Sequence, residues 1–325
     1  IEIMVTGVIK DQIENQIENQ MTDKVRTPHS RALPTIHFRP WLNGMVVMAL
    51  TIGYCGSVAL MLLPQLELNA LGVLMLSYTM VVATLFMHEA MHGVAFPQPW
   101  LNARMGQYMG WLTVSPYTMG TWNERVQEHT DHHLGHATQI DLDFSNLPPG
   151  CKQAIVWLEW FHFPALSLVM LNWINLKYFC NPDSRYRTLR WSTICQGAML
   201  TGLGCLSLKA LGLFLLGYCL SLVALRFNGA YQHNEDYLEQ KGRYLVTLGT
   251  FSPLISERYP WLNALLLNFG YHSAHHARMY CPWYDLPALD RSLFRNGEGN
   301  HLLLAELWSD YHRYRRERVE AFLDL

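Results

Sequence analysis

Three stretches of this chain stay apolar for longer than a soluble helix needs. Residues 41–63 run without a charge, residues 70–87 form a second uncharged run that ends on His88, and residues 191–225 are broken only by Lys209. A bilayer core takes about 20 helical residues. One helix as long as the third run would measure roughly 50 Å against a core of ~30 Å, so that run divides in two with a tight turn near residues 207–209. The pattern predicts an all-α polytopic membrane fold with four spans, at about 41–63, 70–92, 191–208 and 210–228. Residues 154–179 are apolar and aromatic but carry Glu159, His162 and Pro164. They are expected to lie in the interface or to dip into the membrane, as are residues 101–122. Residues 302–322 read as a charged amphipathic helix.

Charge placement orients the spans. Of the 24 Lys and Arg, all but Lys209 lie in the N-terminal tail, between residues 93 and 190, or from Arg226 onward. The positive-inside rule then puts both termini and the large middle segment in the cytoplasm. If residues 154–179 crossed, the basic C-terminal region would face outward, which is why they are not counted as a span. The expected organisation is a polar tail over 1–40, a membrane domain over 41–300 and a C-terminal amphipathic helix over 301–325. The tail holds a QIENQIENQ repeat and no apolar segment after a basic start, so no cleavable signal peptide is expected. Met21, just past the repeat, is the expected natural start.

Composition narrows the class. Half the residues are apolar, 15% are charged and the net charge is −2, which leaves no electrostatic footprint for nucleic acid. Seven cysteines occur with no CxxC pair, so neither a disulfide framework nor a zinc ribbon is predicted. Histidine stands out, with 15 residues. His88-Glu-Ala-Met-His92 ends the second apolar run. His129-Thr-Asp-His132-His133 and His272-Ser-Ala-His275-His276 repeat one spacing, and His233 stands alone after the last predicted span. Spacings of three and four residues put imidazoles on one helix face. A lone HxxxH pair is weak, but two HxxHH triplets in one chain are not explained by surface histidines. All nine fall on the predicted cytoplasmic side, where they can converge.

Neutral imidazole suits zinc, copper, iron and nickel. Nine ligands exceed one ion and fit two, each with four or five nitrogens and an open position. Carboxylates commonly orient such rings through the other N–H. Glu89, Glu128, Asp131, Asp141, Asp143, Glu235 and Asp236 lie close enough in sequence, and Asn268 precedes the third box; Glu89, Asp131 and Asn268 are the chosen candidates.

The order HEAMH, EHTDHH, a lone histidine, NFGYHSAHH and then PWYDLPAL resembles the membrane fatty-acid desaturase family over roughly residues 41–295. The resemblance implies a mushroom-shaped helical fold with a cytoplasmic cap and a non-haem di-iron centre. Carried over residue by residue, its ligands are His88, His92, His129, His132, His133, His233, His272, His275 and His276. It further implies O2 as co-substrate, a lipid acyl chain as substrate, membrane lipids as surroundings, and electrons from a separate ferredoxin-, rubredoxin- or cytochrome-type donor, since no fused donor segment is visible. Three departures matter. The second box has two residues before its HH pair, where alkane hydroxylases have three. The first has three residues between its histidines, where animal-type acyl-CoA desaturases have four. Gly229 stands where those enzymes have an asparagine. Acyl-lipid and sphingolipid-type desaturases and carotenoid ketolases or hydroxylases are therefore the nearer neighbours. Desaturation of an acyl chain is the expected reaction, with hydroxylation or ketolation of a lipid or carotenoid as the alternative.

Two other classes compete. HExxH at 88–92 is also the zinc-protease pattern, with Glu89 as base, but it leaves both triplets unexplained. A metal transporter would place its ligands near the membrane midplane, whereas these lie at the span ends.

Overall fold

The computed structural model describes residues 38–113, 121–133, 147–232, 249–294 and 300–323. The N-terminal repeat and Met21 lie outside them, as do His136, Asp141, Asp143, His233, Glu235 and Asp236. The described chain is mostly helical: α1 (Pro40–Leu62), α2 (Leu66–Met91), α3 (Pro99–Leu112), α4 (Trp122–His133), α5 (Pro149–Trp160), α6 (Ala165–Cys180), α7 (Arg187–Leu206), α8 (Leu208–Gly229), β1 (Ser252–Leu254), α9 (His272–Ala277), α10 (Leu286–Leu293), β2 (His301–Leu303), α11 (Leu304–Arg313) and α12 (Arg315–Phe322), with short 3-10 turns at Ser184–Tyr186 and Pro260–Leu266.

α2 is the central helix and packs against α1, α3 and α8. Leu76, Ala83 and Phe86 of α2 and Phe214 of α8 are fully enclosed in the main core. The outer faces tell the opposite story. Met45, Met48 and Ile52 on α1, and Leu71, Leu74 and Tyr78 on α2, are all exposed. Their spacing gathers each set on one helix face. Apolar stripes of this kind are a liability in water and suit lipid.

Two helical hairpins are pinned together at their turns. Asn69 Nδ2 donates to the carbonyls of Leu60 and Leu63, each at 2.9 Å, satisfying groups that a helix end leaves without internal partners. Lys209, in the first turn of α8, donates to Asn69 Oδ1 at 2.9 Å and to the Leu63 carbonyl. α2 and α8 therefore run the same way from one shared end, and their far ends lie near the histidine boxes.

α1, α2 and α8 are long and apolar enough to cross a membrane. The fourth predicted span, α7, begins with a basic turn of Arg187 and Arg190, so its apolar stretch starts only at Trp191. Residues 154–179 were expected to form one element, and the structure divides them between α5 and α6. His162 takes φ 62° at the break, and Pro164 follows, which disfavours helix in the residue before it. Residues 302–322 likewise divide at Tyr314. A strictly all-α expectation needs one correction: β1 and β2 pair in parallel, Ser252 opposite His301 through Leu254 opposite Leu303. Three-residue strands are too short to show a two-residue period in sequence.

Candidate metal centre

The first box closes α2. His88 and His92 are buried, and Gly93 takes φ 70° just after, a conformation glycine adopts without strain. The second box lies on α4, whose start is set by a reciprocal capping box. Thr121 Oγ1 accepts from the Glu124 amide at 3.3 Å, and Glu124 Oε2 accepts from the Thr121 amide at 2.7 Å. The third box is α9. A helix of six residues is too short to be stable alone, and β1 anchors it: Ser273 Oγ donates to the Thr250 carbonyl at 2.8 Å, and Ser252 and Ser273 hydroxyls stand 3.1 Å apart. Gly270 makes this docking possible, since a Cβ there would lie 2.5 Å from the Pro253 carbonyl oxygen.

These elements bring the boxes together. The ligand atoms of His88, His92, His129, His133 and His275 all lie within 4.8 Å of one another. His92 and His129 Nε2 are 2.9 Å apart, His129 and His133 Nε2 3.2 Å, and His133 and His275 Nε2 3.1 Å. An imidazole nitrogen carries either one N–H or one lone pair. His129 Nε2 faces two such nitrogens, as does His133 Nε2, so the three contacts cannot all be hydrogen bonds. Lone pairs aimed at a shared cation account for all of them. Ligands at right angles around an ion with bonds of ~2.1 Å stand about 3.0 Å apart, close to these spacings. In addition, neither ring nitrogen of His88 has a hydrogen-bond partner although both are buried, a costly arrangement without a ligand. The donor set fits a metal ion.

The other box residues flank this group. His276 rests against His133, His272 and His132 at ring separations of 4.2, 4.6 and 5.2 Å. His233 lies outside the described residues. Burial first, and then the surrounding imidazoles, hold His129 and His275 well below the ordinary range. The rings are therefore neutral at physiological pH, as metal ligation requires.

The three outer candidates fare differently. Glu89 is buried, accepts from the Trp283 amide at 2.9 Å and lies 4.0 Å from His88 Nδ1. Asn268 Nδ2 donates to the Trp283 carbonyl at 3.0 Å. Asp131 accepts from Gln127 at 2.9 Å, one turn earlier on α4. Trp283 links these parts, and its Nε1 donates to buried Asn43 of α1 at 2.9 Å. Neither Trp283 nor Asn43 was singled out from sequence; the PWYDLPAL segment was the only signal for the first, and a lone Asn inside an apolar span was the available signal for the second. His162 and His312 pair with each other at 4.6 Å beside Arg315, apart from the cluster, and His301 sits between Asp290 and Glu257.

The fatty acid desaturase family profile matches residues 64–308, more than half of the chain. A β-carotene ketolase from Paracoccus sp. (strain N81106 / MBIC 01143) is 35% identical over 82 residues, which cover 25% of this chain and 31% of the ketolase.

Proposed function

The chain belongs to the fatty acid desaturase family, and we propose that it is a membrane-bound di-iron oxidoreductase that uses O2 to desaturate a lipid acyl chain. That it is an oxidoreductase follows from the family; the metal, the substrate and the reaction are our reading. The observation that carries it is the chain of Nε2 contacts among His92, His129, His133 and His275, which hydrogen bonding alone does not explain.

In this reading, the five converging histidines hold one iron, and His132, His272 and His276, with His233, contribute to a second. Bound there, iron supplies the redox chemistry with O2 that attacks an unactivated C–H bond. The chain's own residues do the rest. The neutral imidazoles present lone pairs without first losing protons. Glu89, fixed by the Trp283 amide, stands 4.0 Å from His88 Nδ1 and walls one side of the ring. Burial of His88, His133, His275 and His276 keeps bulk water from the reacting carbon. α7 acts as the fourth span, with Arg187 and Arg190 at the cytoplasmic interface. The boxes and both termini face the cytoplasm, where a separate electron donor docks.

Ketolation or hydroxylation remains the second reading, and the β-carotene ketolase relative favours it. Expression with a reducing partner, followed by mass spectrometry of lipids and pigments, decides between them. A lipid two mass units lighter supports desaturation. A product sixteen or fourteen units heavier replaces it with hydroxylation or ketolation. Purified protein should hold close to two irons per chain; a single zinc would overturn the di-iron reading.

A further inference from the structure

The chain between β1 and the third box makes a detour along the outside of the helix bundle. The Tyr78 hydroxyl donates to the Leu265 carbonyl at 2.7 Å, which ties the 3-10 turn Pro260–Leu266 to the outward face of α2. Tyr78 lies ten residues before His88 and in the middle of the uncharged run over residues 70–87. That is about 15 Å from the first box along the helix axis. The turn therefore stands beside the centre of a helix long and apolar enough to cross a membrane. Leu267 and Asn268 then take φ 49° and 50° and turn the chain toward the boxes, where the Phe269 ring stands 4.8 Å from that of His88.

The surface of this detour is apolar. Residues 259–270 contain no charged side chain. Trp261 is 69% exposed and Leu265 48%, with Tyr259 exposed beside them. They continue the outward stripe of Leu71, Leu74 and Tyr78 on α2, and an apolar surface of that extent is unfavourable in water. The polar groups are paired as hydrocarbon demands. Asn263 is buried, and its side chain accepts from the Ile255 amide at 2.7 Å and donates to the Ser256 carbonyl at 2.8 Å. The Tyr78 hydroxyl and the Leu265 carbonyl would each be costly alone in an apolar medium, and they satisfy one another. Charge returns just before Tyr259, where the Arg258 guanidinium lies over the Tyr259 ring at 5.2 Å. A basic residue beside an aromatic one suits a membrane–water interface.

We propose that residues 259–267 form a re-entrant segment whose partner is the hydrocarbon of the bilayer. The segment dips beside α2 to the level of Tyr78 and returns, so the third box hangs from an element seated in lipid. The inference rests on α2 crossing the membrane, and on neither the metal nor the reaction. In the test, full-length protein carries p-benzoylphenylalanine in place of Trp261, Leu265 or Leu74. It is irradiated in phosphatidylcholine nanodiscs, and adducts are identified by mass spectrometry. The label at each position should join the acyl chains of phosphatidylcholine. Hydroxyl-radical footprinting of the unsubstituted protein gives a second reading. Trp308 is 51% exposed on the charged helix α11. Trp261, the more exposed of the two in the fold, should be oxidised roughly tenfold more slowly, because hydrocarbon excludes water. Lipid adducts at Leu74 but none at Trp261 and Leu265, or equal oxidation of the two tryptophans, would put the segment in water and overturn the proposal while the span stands. Cross-linked dimers from Trp261 or Leu265 would assign the patch to a second copy of the chain and overturn it as well. Absence of lipid adducts at all three positions would remove α2 from the membrane, and the proposal with it.

Discussion

Gly106→Ala should damage the metal centre without touching a histidine. A Cβ at position 106 of α3 would lie 1.9 Å from Trp122 Cη2, 2.4 Å from Cζ3 and 2.8 Å from Cζ2. Carbon atoms in contact prefer about 3.5–4.0 Å, so the indole must retreat by roughly 1.5 Å or more. It cannot do so cheaply, because Trp122 is part of the main core and is the first residue of α4. Overpacking of a core costs about 1–3 kcal/mol, and the depth of this overlap places the variant at the upper end. The displaced element carries His129, His132 and His133, so the loss should extend to metal binding. Thermal unfolding in detergent and iron per chain measure the two effects. In a Trp122→Leu background the same substitution should cost far less, since the ring it strikes is gone and contacting residues are not additive. A Gly106→Ala protein with unchanged melting and full iron would refute the packing argument. So would equal costs in the two backgrounds.

The remaining predictions divide by location. His92→Ala and His275→Ala should lower bound iron and abolish turnover, whereas His162→Ala and His312→Ala should leave iron content intact; elemental analysis of the four separates cluster from bystanders. Glu89→Ala should weaken metal affinity by about 10–100-fold, read by chelator competition, and an unchanged affinity would remove Glu89 from the site. His301 gives a pH signature. Burial alone would lower its pKa, but the Asp290 and Glu257 carboxylates outweigh burial and raise it. A raised folded value means the imidazolium pairing stabilises fully below the ordinary histidine range and fades as pH rises through the folded pKa. Melting temperature of the wild type should therefore fall relative to His301→Phe as pH is raised through that region. Parallel pH profiles would contradict the ion-pair assignment.

The three long apolar helices were readable in the sequence because a long apolar run is a one-dimensional property. The tight turn at Ser207 was readable for the same reason, since one helix could not be that long. The boxes were readable because helical periodicity is local. What the sequence could not give is why three separate segments meet. That depends on close approaches such as Gly270 against the Pro253 carbonyl and Gly106 beneath the Trp122 ring, where the decisive feature is the absence of a side chain. The capping box at Thr121 and Glu124 carried a recognisable spacing, whereas the positive φ of His162 carried none. The β1–β2 pair joins strands far apart in sequence, through three residues each, and offers no pattern to detect.

Asn43 and Trp283 show how the long apolar helices and the histidine-bearing elements become one unit. Asn43 lies near the start of α1, inside an apolar run where an unpaired amide is costly. Both of its side-chain functions are used: Nδ2 donates to the Ala95 carbonyl at 2.6 Å, and Oδ1 accepts from the Trp283 indole. Trp283 in turn gives its backbone amide to Glu89 and its carbonyl to Asn268. One residue thus ties the first helix, the end of α2, the segment before the third box and the loop after it. Separate anchors would let the box-bearing elements drift independently. A shared anchor makes the position of Glu89 against His88 depend on the whole bundle being assembled, so the centre is completed only when the membrane helices and the histidine elements have packed together.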